Sequence, residues 1–494
     1  MSTGPKGRTS VVFQKLTREQ LEQATKQQLI ELVLVLQDQV EQLLEQNILL
    51  EARVAELERR LGMDSSNSSK PPSSDPPASK AKRHRRKKKS KRKRGAQHGH
   101  KGSHRELAPP DKVDHLSIIK PCACEKCGGI HLVIDDSEPW RHQIWEIPEI
   151  KPIISEWQMV MGICKDCGHS TQAKLPPGVP RGNFGTKTAV VVSLLAGVYH
   201  QSKRFIKSLM ADVFGIDMSL GAISACEKKV SQAIEEPVAE AHGHAQKCGV
   251  MYADETGWRQ CNKKAWLWVA VTSAVTVFMV HLSRGRTAAR KLLGNFGGIL
   301  GTDRWSPYRV HDGLRQFCWA HLVRRFRGFS EMKGEAGRIG SRLLDATKLM
   351  FQWWHKIRDG TMSRNTFRLR MTKLRIEIGD LLVEGEICRV SPVAGVCKRL
   401  LAEEDHLWTF IDHEGIEPTN NNAERAVRQG VLWRKISFGT QSEEGSRFVE
   451  RIMTVSATCR QQKRSVIEYL NEACLAQLHG HPAPSLLPST SQST

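Results

Sequence analysis

The chain has 494 residues and a formal net charge of +22, a basic excess that favours a polyanionic partner without specifying a fold. Because single hydrophobic cores rarely exceed ~250–300 residues, this length predicts several domains. Residues 1–10 lack the apolar segment of a secretory signal, and the apolar runs near 189–198 and 265–280 are too short or too interrupted for a membrane helix, so we expect a soluble cytoplasmic protein.

The first predicted element is a long helix within residues 1–62. Between Leu29 and Leu61, apolar residues recur at alternating steps of four and three. Valine at heptad position a with leucine at d favours two parallel strands, and Asn47 at a fixes their register. We therefore predict a coiled-coil homodimer or a higher oligomer, the alternative being one amphipathic helix packed on its own domain. The a positions are Val33, Val40, Asn47, Val54 and Leu61, and the d positions are Leu29, Leu36, Leu43, Leu50 and Leu57.

Residues 63–105 are predicted to be a disordered linker followed by a basic arm. Ser65–Lys80 is rich in serine and proline and has too few apolar residues to fold. The arm that follows has a density of positive charge that no packed core tolerates. Neutralising phosphates releases counterions, so the arm predicts salt-dependent, sequence-independent binding to nucleic acid, whereas the alternative is a solvated tail. The predicted DNA-binding residues of the arm are Lys82, Arg83, Arg85, Arg86, Lys87, Lys88, Lys89, Lys91, Arg92, Lys93 and Arg94.

Residues 106–180 contain two Cys-x-x-Cys pairs, each followed by glycine, which is typical of zinc knuckles in a reducing compartment. Four thiolates suit a closed, tetrahedral, structural Zn²⁺ site. Strand-like text at 144–147 and 153–160 predicts the hairpin of a zinc ribbon. Cys122 and His169 are alternate ligands, and four unligated cysteines are the other interpretation. The predicted zinc ligands are Cys124, Cys127, Cys164 and Cys167.

Residues 181–246 have a helical pattern from Thr186 onward. Within this segment, Phe214–Ser224 reads as a helix, a turn and a serine-capped second helix. That order predicts a helix-turn-helix whose second helix enters a major groove, with plain helical packing as the alternative.

Residues 247–329 alternate between apolar strands and one helix. Three antiparallel-type strands, a helix and a further strand predict an α/β sheet of the ribonuclease H kind, in which the first and fourth strands are neighbours. Asp254 follows the first strand and Asp303 the fourth, so we expect the two carboxylates side by side. The predicted strands are 247–252, 265–272, 275–282, 298–300 and 316–322, with a helix at 287–293.

The second part of the core is predicted at 416–475, after a helical insertion at 330–415 and before a disordered tail at 476–494. The asparagine run Asn420–Asn422 is typical of a helix N-cap. It places Glu424 in the first turn of the helix, with Arg428 four residues further on the same face.

Asp254, Asp303 and Glu424 form the set of acids that phosphodiester chemistry requires. In-line cleavage uses two divalent ions ~3.5–4 Å apart. Hard Mg²⁺ prefers carboxylate oxygens, with water and phosphate completing its coordination. Each acid alone could be a surface charge or a helix cap, but as an ordered set they predict a site for two catalytic Mg²⁺ ions.

The acidic segments also carry a family likeness. The chain resembles the insertion sequence 66 family of bacterial DDE transposases, and this resemblance covers nearly the whole chain outside its termini. The residues that carry it are Asp254-Glu255-Thr256-Gly257-Trp258, Thr302-Asp303 with Tyr308, Cys318-Trp319-Ala320-His321, Asn422-Ala423-Glu424-Arg425 with Arg428, Gly99-His100-Lys101-Gly102 and Trp433–Gly439.

The resemblance implies a multidomain α/β protein with an N-terminal coiled coil and zinc ribbon, a helical DNA-binding segment, and a ribonuclease H-like catalytic domain with a helical insertion. It implies the catalytic triad Asp254, Asp303 and Glu424, metal-dependent cleavage at insertion-sequence ends, and strand transfer into target DNA. Arg425 and Arg428 are expected to contact phosphate. The expected location is the bacterial cytoplasm, associated with the nucleoid, and accessory proteins of the same element join the expected partners.

The sequence leaves open the effect of one departure from the family pattern, the roles of two residues near the acidic segments, and two rival functions. Arg304 and Trp305 stand where many relatives carry an Asp-Gly-Tyr turn. Strand alternation alone does not decide whether Asp254 or Glu255 faces the metal, and His321 has no assigned role. The rivals are a zinc-ribbon and zipper DNA-binding regulator with an inactive core, and a nuclease that cuts without joining.

Overall fold

A computed structural model describes residues 17–68, 75, 105–134 and 139–488, so the predicted basic arm at 82–94 lies outside the described residues. The chain divides into two compact units. The first comprises Met1–Lys80 and His321–Glu403, and the second comprises Ala81–Ala320 and Glu404–Thr494. The fold is mixed α/β with a majority of helix. Within the described ranges, no helix combines the length and the apolar character needed to cross a bilayer.

The elements follow in chain order. The helices are α1 (Arg18–Glu22), α2 (Lys26–Gly62), α3 (Thr186–Gly197), α4 (Lys203–Phe214), α5 (Leu220–Ala233), α6 (Glu235–Ala245), α7 (Arg286–Leu293), α8 (Trp319–Ser330), α9 (Gly334–Arg358), α10 (Arg364–Glu386), α11 (Ser391–Leu401), α12 (Asp405–Asp412), α13 (Asn421–Ser437), α14 (Glu443–Gln461) and α15 (Val466–His479). The strands are β1 (Met161–Ile163), β2 (Ser170–Gln172), β3 (Val250–Gln260), β4 (Lys263–Val271), β5 (Thr276–His281), β6 (Ile299–Thr302) and β7 (Arg315–Phe317).

In the first unit, α2 is the predicted long helix. The Thr25 hydroxyl accepts a hydrogen bond from the Gln28 N–H, while the Gln28 side chain accepts one from the Thr25 N–H, so a capping box begins the helix. The helix ends at Gly62, as predicted. Its apolar residues, such as Val40 and Leu43, are exposed along its length. The helices α9, α10 and α11 of the same unit pack in succession and correspond to most of the predicted helical insertion.

The second unit is built on a mixed five-stranded sheet with the order β5-β4-β3-β6-β7. The strands β3, β4 and β5 are antiparallel, whereas β6 runs parallel to β3 on one side and to β7 on the other. The first and fourth strands of this sheet are therefore neighbours, as the sequence predicted.

Two strand predictions need correction. The strand β3 runs from Val250 to Gln260, well beyond the predicted end at residue 252, because its second half pairs with β4 in a long hairpin. Asp254 thus lies within a strand and not after one. The predicted fifth strand at 316–322 is instead the short β7, and α8 begins at Trp319, whose indole N–H donates to the Leu407 carbonyl at 2.8 Å.

Side chains from helices cover both edges of the sheet. On the β5 edge, the N–H groups of residues 276, 278 and 280 donate to Thr458, Thr454 and Glu450 of α14, at 3.1, 3.0 and 2.5 Å. The three acceptors stand four residues apart, so they form one row along the helix. On the β7 edge, the Thr409 hydroxyl of α12 donates to the Arg315 carbonyl at 2.5 Å.

The helices α3 to α6 fill the segment predicted to be helical. Gly215 follows α4 with φ of 64°, and the Ser219 hydroxyl accepts a hydrogen bond from the Ala222 N–H at the start of α5. These features match the predicted helix, turn and serine-capped helix. At the other end of the chain, α15 extends to His479 and Leu486 is buried, so ordered structure continues past the predicted boundary at residue 475.

The predicted ribbon hairpin is also different. Residues 144–147 and 153–160 form no strand in the structure. The short hairpin is β1 paired with β2, and it encloses the second Cys-x-x-Cys pair and not the segment between the two pairs. Ile144 and Ile153 are exposed, so the alternating apolar residues of these segments do not form the buried face that the predicted strands would have.

Candidate active site

Asp254 and Asp303 are brought together by the parallel pairing of β3 with β6. Tyr252 lies opposite Gly301 in this ladder, so continuing the register by two residues sets Asp254 opposite Asp303. Asp303 directly follows β6, and its carboxylate accepts a hydrogen bond from the Trp305 N–H at 2.8 Å. The predicted juxtaposition of the two aspartates is therefore present in the sheet.

Glu424 reaches this end of the sheet from the first turn of α13. The Asn420 side-chain amide donates to the Ala253 carbonyl at 2.8 Å, directly before Asp254. The Asn420 carbonyl in turn accepts a hydrogen bond from the Glu424 N–H at 3.1 Å. Asn420 occupies the predicted N-cap position, but its side chain makes no capping bond and ties the helix to β3 instead.

The body of α13 lies against the sheet on the face that carries Asp254. Thr256 and Leu267 are opposite each other in the β3–β4 pairing, and Gly430 of α13 meets Leu267 so closely that a Cβ atom would stand 2.1 Å from Leu267 Cδ2. Arg434 donates to the Gly257 carbonyl. Because alternate residues share a face, Asp254 and Thr256 both point to the side covered by α13.

The neighbouring acids influence the electrostatics of the site. Burial raises the pKa of Asp254 well above its usual range, and the charges of Glu255, Asp303 and Glu424 raise it further. Burial, followed by the charge of Glu255, raises the pKa of Asp303 to about 6, while the Trp305 N–H and Arg284 oppose this rise. Carboxylates that repel each other in a half-buried cluster favour a cation among them, and their hard oxygen donors fit Mg²⁺.

Glu255 faces away from the cluster that Asp254 and Glu424 share. One of its oxygens accepts hydrogen bonds from the Arg284 guanidinium at 2.9 and 3.1 Å, and the other accepts one from the Tyr308 hydroxyl at 2.6 Å. Trp268, opposite Glu255 on β4, packs edge-on against the Tyr308 ring. With both oxygens engaged and its side chain buried, Glu255 is part of the scaffold, and Asp254 is the acid that faces Glu424.

Arg284 also supports the loop that carries Asp303. Its guanidinium lies 4.2 Å from the centre of the Trp305 ring. The Trp305 backbone in turn donates to Asp303. Trp305 therefore holds Asp303 in place, because its ring stacks on Arg284, which is itself fixed to Glu255.

Sequence reasoning missed three residues that shape the site: Asn420, Arg284 and Arg434. Asn420 was noticed only as a helix cap. Arg284 stands in a stretch without a motif, and Arg434 lies in the segment Trp433–Gly439, whose resemblance assigned it no role; the roles of both depend on which strand or helix lies opposite them. The sequence therefore predicted only some of the polar residues that surround Asp254, Asp303 and Glu424.

Each Cys-x-x-Cys pair forms a tight turn. In the first, the Cys124 carbonyl accepts a hydrogen bond from the Gly128 N–H at 2.8 Å, and the pair at Cys164 and Gly168 repeats this contact at 2.9 Å. Both glycines have positive φ, of 73° and 70°. Backbone amides that point at the sulfur lower the pKa of the Cys124 thiol, and the same cause lowers that of Cys164.

These knuckles have the local geometry of zinc ligands. Among the described residues, however, the four sulfurs of the two pairs do not lie within 4.8 Å of one another as one cluster. The four-thiolate zinc site remains a prediction.

Of the predicted DNA-binding residues, only Arg425 and Arg428 lie within the described part of the chain. Both are exposed on α13, and Arg425 donates to the Asn422 side chain.

Comparison with known proteins finds two matching family models. A family model described as "Transposase IS66 family" matches residues 193–447, slightly more than half of the chain and the part that contains all three acids. A family of unknown function, DUF6444, matches residues 15–106.

Two proteins of Sinorhizobium fredii (strain NBRC 101917 / NGR234), both described as uncharacterized, are similar to the chain. With y4qI the identity is 25% over 251 residues, which is 45% of this chain and 46% of y4qI, so the match spans about half the length of that relative. With y4hP the identity is 24% over 423 residues, 76% of this chain and 74% of y4hP. From the match over residues 193–447, the chain belongs to the IS66 family of transposases.

Proposed function

We propose that this chain is a DNA transposase of the DDE type, which cleaves DNA at insertion-sequence ends and joins the freed 3′-hydroxyl to target DNA. The observation that supports this most is the position of Asp254, Asp303 and Glu424 at one end of the sheet, where the charges of Asp303 and Glu424 add to the raised pKa of Asp254 and the charge of Glu424 adds to that of Asp303. We assign the sheet, with its neighbouring first and fourth strands, to the ribonuclease H-like class.

Asp254, Asp303 and Glu424 would hold two divalent ions, for which Mg²⁺ is the natural candidate. Such ions, when bound, activate the attacking oxygen and stabilise the leaving oxygen of an in-line displacement. The protein itself sets the geometry: Asn420 and Arg434 hold α13 on β3, while Glu255 and Arg284 hold the Asp303 loop.

The reaction proceeds in two steps that need no covalent bond between protein and DNA. Hydrolysis breaks the P–O3′ bond of a phosphodiester at the element end and leaves a 3′-hydroxyl and a 5′-phosphate. That 3′-hydroxyl then forms a bond to the phosphorus of a target phosphodiester, whose own P–O3′ bond breaks and releases a target 3′-hydroxyl. The chain therefore needs no serine or tyrosine nucleophile. Its own contribution is to hold both DNA segments in line with the carboxylates, and Arg425 and Arg428, exposed beside Glu424, would bind phosphate there.

The N-terminal half would supply assembly and DNA capture. The exposed apolar stripe of α2 is the proposed seam of a parallel coiled coil between two copies. The two cysteine knuckles would bind a structural Zn²⁺ ion, and the basic arm at 82–94 would bind phosphate without sequence preference. Accessory proteins of the same element would complete the active complex.

The direct test is cleavage and joining by the purified full chain on a duplex that spans an element end. The variants are Asp254→Asn, Asp303→Asn and Glu424→Gln, which keep side-chain shape, with Glu443→Gln as a control at an exposed position of α14. Each triad variant should lose at least ~100-fold in cleavage while binding the duplex normally, and Glu443→Gln should match the wild type.

Each rival function has its own result in this assay. Cleavage by the wild type without joined products would identify a nuclease. End binding by the wild type without any metal-dependent cleavage would identify a DNA-binding regulator with an inactive core. A triad variant that cleaves at the wild-type rate would show that the site assignment is wrong.

A further inference from the structure

A stripe of positive charge runs along α13 away from the carboxylates. Glu424, Arg428 and Lys435 stand at positions i, i+4 and i+11, so they share one side of the helix. Arg425 lies beside them, and all three cations are exposed. At 1.5 Å per residue, the stripe extends roughly 16 Å from Glu424 to Lys435.

The stripe ends beside the tip of the β3–β4 hairpin, which carries three more exposed cations. Arg259 lies directly opposite Lys264, and Lys263 opposite Gln260. Side chains alternate along β3, so Arg259 and Lys264 lie on the sheet face of Glu255, whereas Lys263 lies on the face that α13 covers.

Backbone contacts fix the hairpin to the chain that follows α13. The Thr440 N–H donates to the Arg259 carbonyl at 2.9 Å, and the Thr440 carbonyl accepts from the Cys261 N–H at 2.9 Å. Gly439 lies so close to Arg259 that a Cβ atom would stand 2.3 Å from its carbonyl oxygen. The helix stripe and the side of the hairpin tip that carries Lys263 are thus parts of one fixed surface.

This surface also presents apolar contact area to a ligand. The ring of Phe438 is 74% exposed, in the left-handed conformation with φ of 60° at the end of α13. The acids nearest in sequence are Glu443 and Glu444 at the start of α14, and Glu444 is paired with Lys228 at 3.0 Å.

We propose that this surface, called the basic track, binds the phosphate backbone of the DNA duplex next to the scissile phosphodiester. The proposal rests on the proposed function and adds to it the path of the DNA. At roughly 3.4 Å per base pair, a track of about 16–20 Å follows 5–6 base pairs. The basic track consists of Arg425, Arg428 and Lys435 of α13 with Lys263 of the hairpin.

The test uses the full chain and a duplex that spans the junction of an element end and its flanking DNA. The variant Lys263→Ala/Lys435→Ala removes two charges at the end of the track that lies far from the carboxylates. The control, Lys247→Ala/Lys463→Ala, removes two exposed lysines elsewhere in the same unit, the first of them at the opposite end of β3. Binding is measured by fluorescence anisotropy over a salt series, and contacts are mapped by hydroxyl-radical footprinting.

The track variant should lower the slope of log affinity against log salt by about 1.8, because each lost phosphate contact contributes about 0.9. It should also lose protection at the end of the 5–6 base-pair segment that lies away from the cleavage position, while the control keeps both the slope and the footprint of the wild type. A track variant with the control's slope and footprint would overturn the proposal.

The footprint separates this proposal from the catalytic one. If the wild type never cleaves but the track variant alone loses protection at that end of the segment, the track stands and the transposase reaction falls. If the wild type cleaves and the two double variants have identical footprints, the reaction stands and the track falls.

Discussion

The approach of α13 to the sheet offers a sharp test of how Glu424 is positioned. In Gly430→Ala, the new Cβ atom would stand 2.1 Å from Leu267 Cδ2, whereas carbon atoms in contact need about 3.5–4.0 Å. Leu267 is fully buried, so the missing ~1.5 Å must come largely from a shift of the helix. Glu424 stands six residues earlier on the same rigid helix and would move with it.

The expected effects on stability and on cleavage are very different. Alanine favours the helix by about 1 kcal/mol over glycine, while overpacking costs roughly 1–3 kcal/mol, so the free energy of unfolding should fall by no more than about 2 kcal/mol. A ~1 Å displacement of a catalytic group can cost about 100-fold in rate. Gly430→Ala should therefore lose at most about 2 kcal/mol of its free energy of unfolding, remain folded, and cleave about 100-fold more slowly.

Single-turnover cleavage of an element-end duplex and urea denaturation measure the two effects. Gly379→Ala in α10 is the matched control, because its Cβ meets no atom within 4 Å, and it should cleave normally. Leu267→Val shortens the obstructing side chain, so Gly430→Ala/Leu267→Val should recover most of the lost rate. A Gly430→Ala variant that cleaves at the wild-type rate would refute the idea that this contact sets the position of Glu424.

Three further predictions concern separate parts of the chain. Burial raises the pKa of Glu450 to about 7, so folding favours its protonated form, and the stability it contributes below pH 4.5 is lost as the pH rises through 7. Glu450→Gln keeps an acceptor for the Val280 N–H but does not ionise. In urea titrations between pH 4 and 8, the free energy of unfolding should therefore fall by roughly 3 kcal/mol less in this variant than in the wild type. Parallel curves of unfolding free energy against pH for the two proteins would contradict this prediction. Tyr308→Phe removes the hydroxyl that donates to Glu255 and should lower the free energy of unfolding by about 1.5–3 kcal/mol, and unchanged stability would show that the bond contributes nothing. Asn47→Val should raise the melting temperature of the coiled coil and broaden the oligomer distribution seen by light scattering, so an unaltered distribution would argue against a zipper seam at that position.

The sequence predicted the parts of the fold that depend on local patterns. The long helix α2, the serine-capped α5 and the helix bearing Glu424 were predicted because caps and apolar periodicity are properties of neighbouring residues. The pairing of β3 with β6 was predicted because strand order follows from the run of strand types. The predicted pairing of these two strands was enough to place Asp254 beside Asp303.

The features that were wrong or missed depend on partners distant in sequence. The second half of β3 contains Gly257 and polar residues, and it is a strand only because β4 pairs with it. The apolar alternation at 144–147 predicted a strand, but the residues there are exposed. The roles of Arg284 and Arg434 had no local signal, because Arg284 acts through its contact with Glu255 and Arg434 through its contact with the Gly257 carbonyl.

The helix side chains along both margins of the sheet limit how this chain can associate with copies of itself. An uncovered edge strand could pair with a strand of another chain. Here the N–H groups at residues 276, 278 and 280 already donate to acceptors on α14, and the Thr409 hydroxyl donates to a carbonyl of β7. Joining sheet to sheet between subunits would first require α14 to detach. The amide hydrogens of β5 should consequently exchange with solvent as slowly as those of an interior strand, although the strand is the last in its sheet.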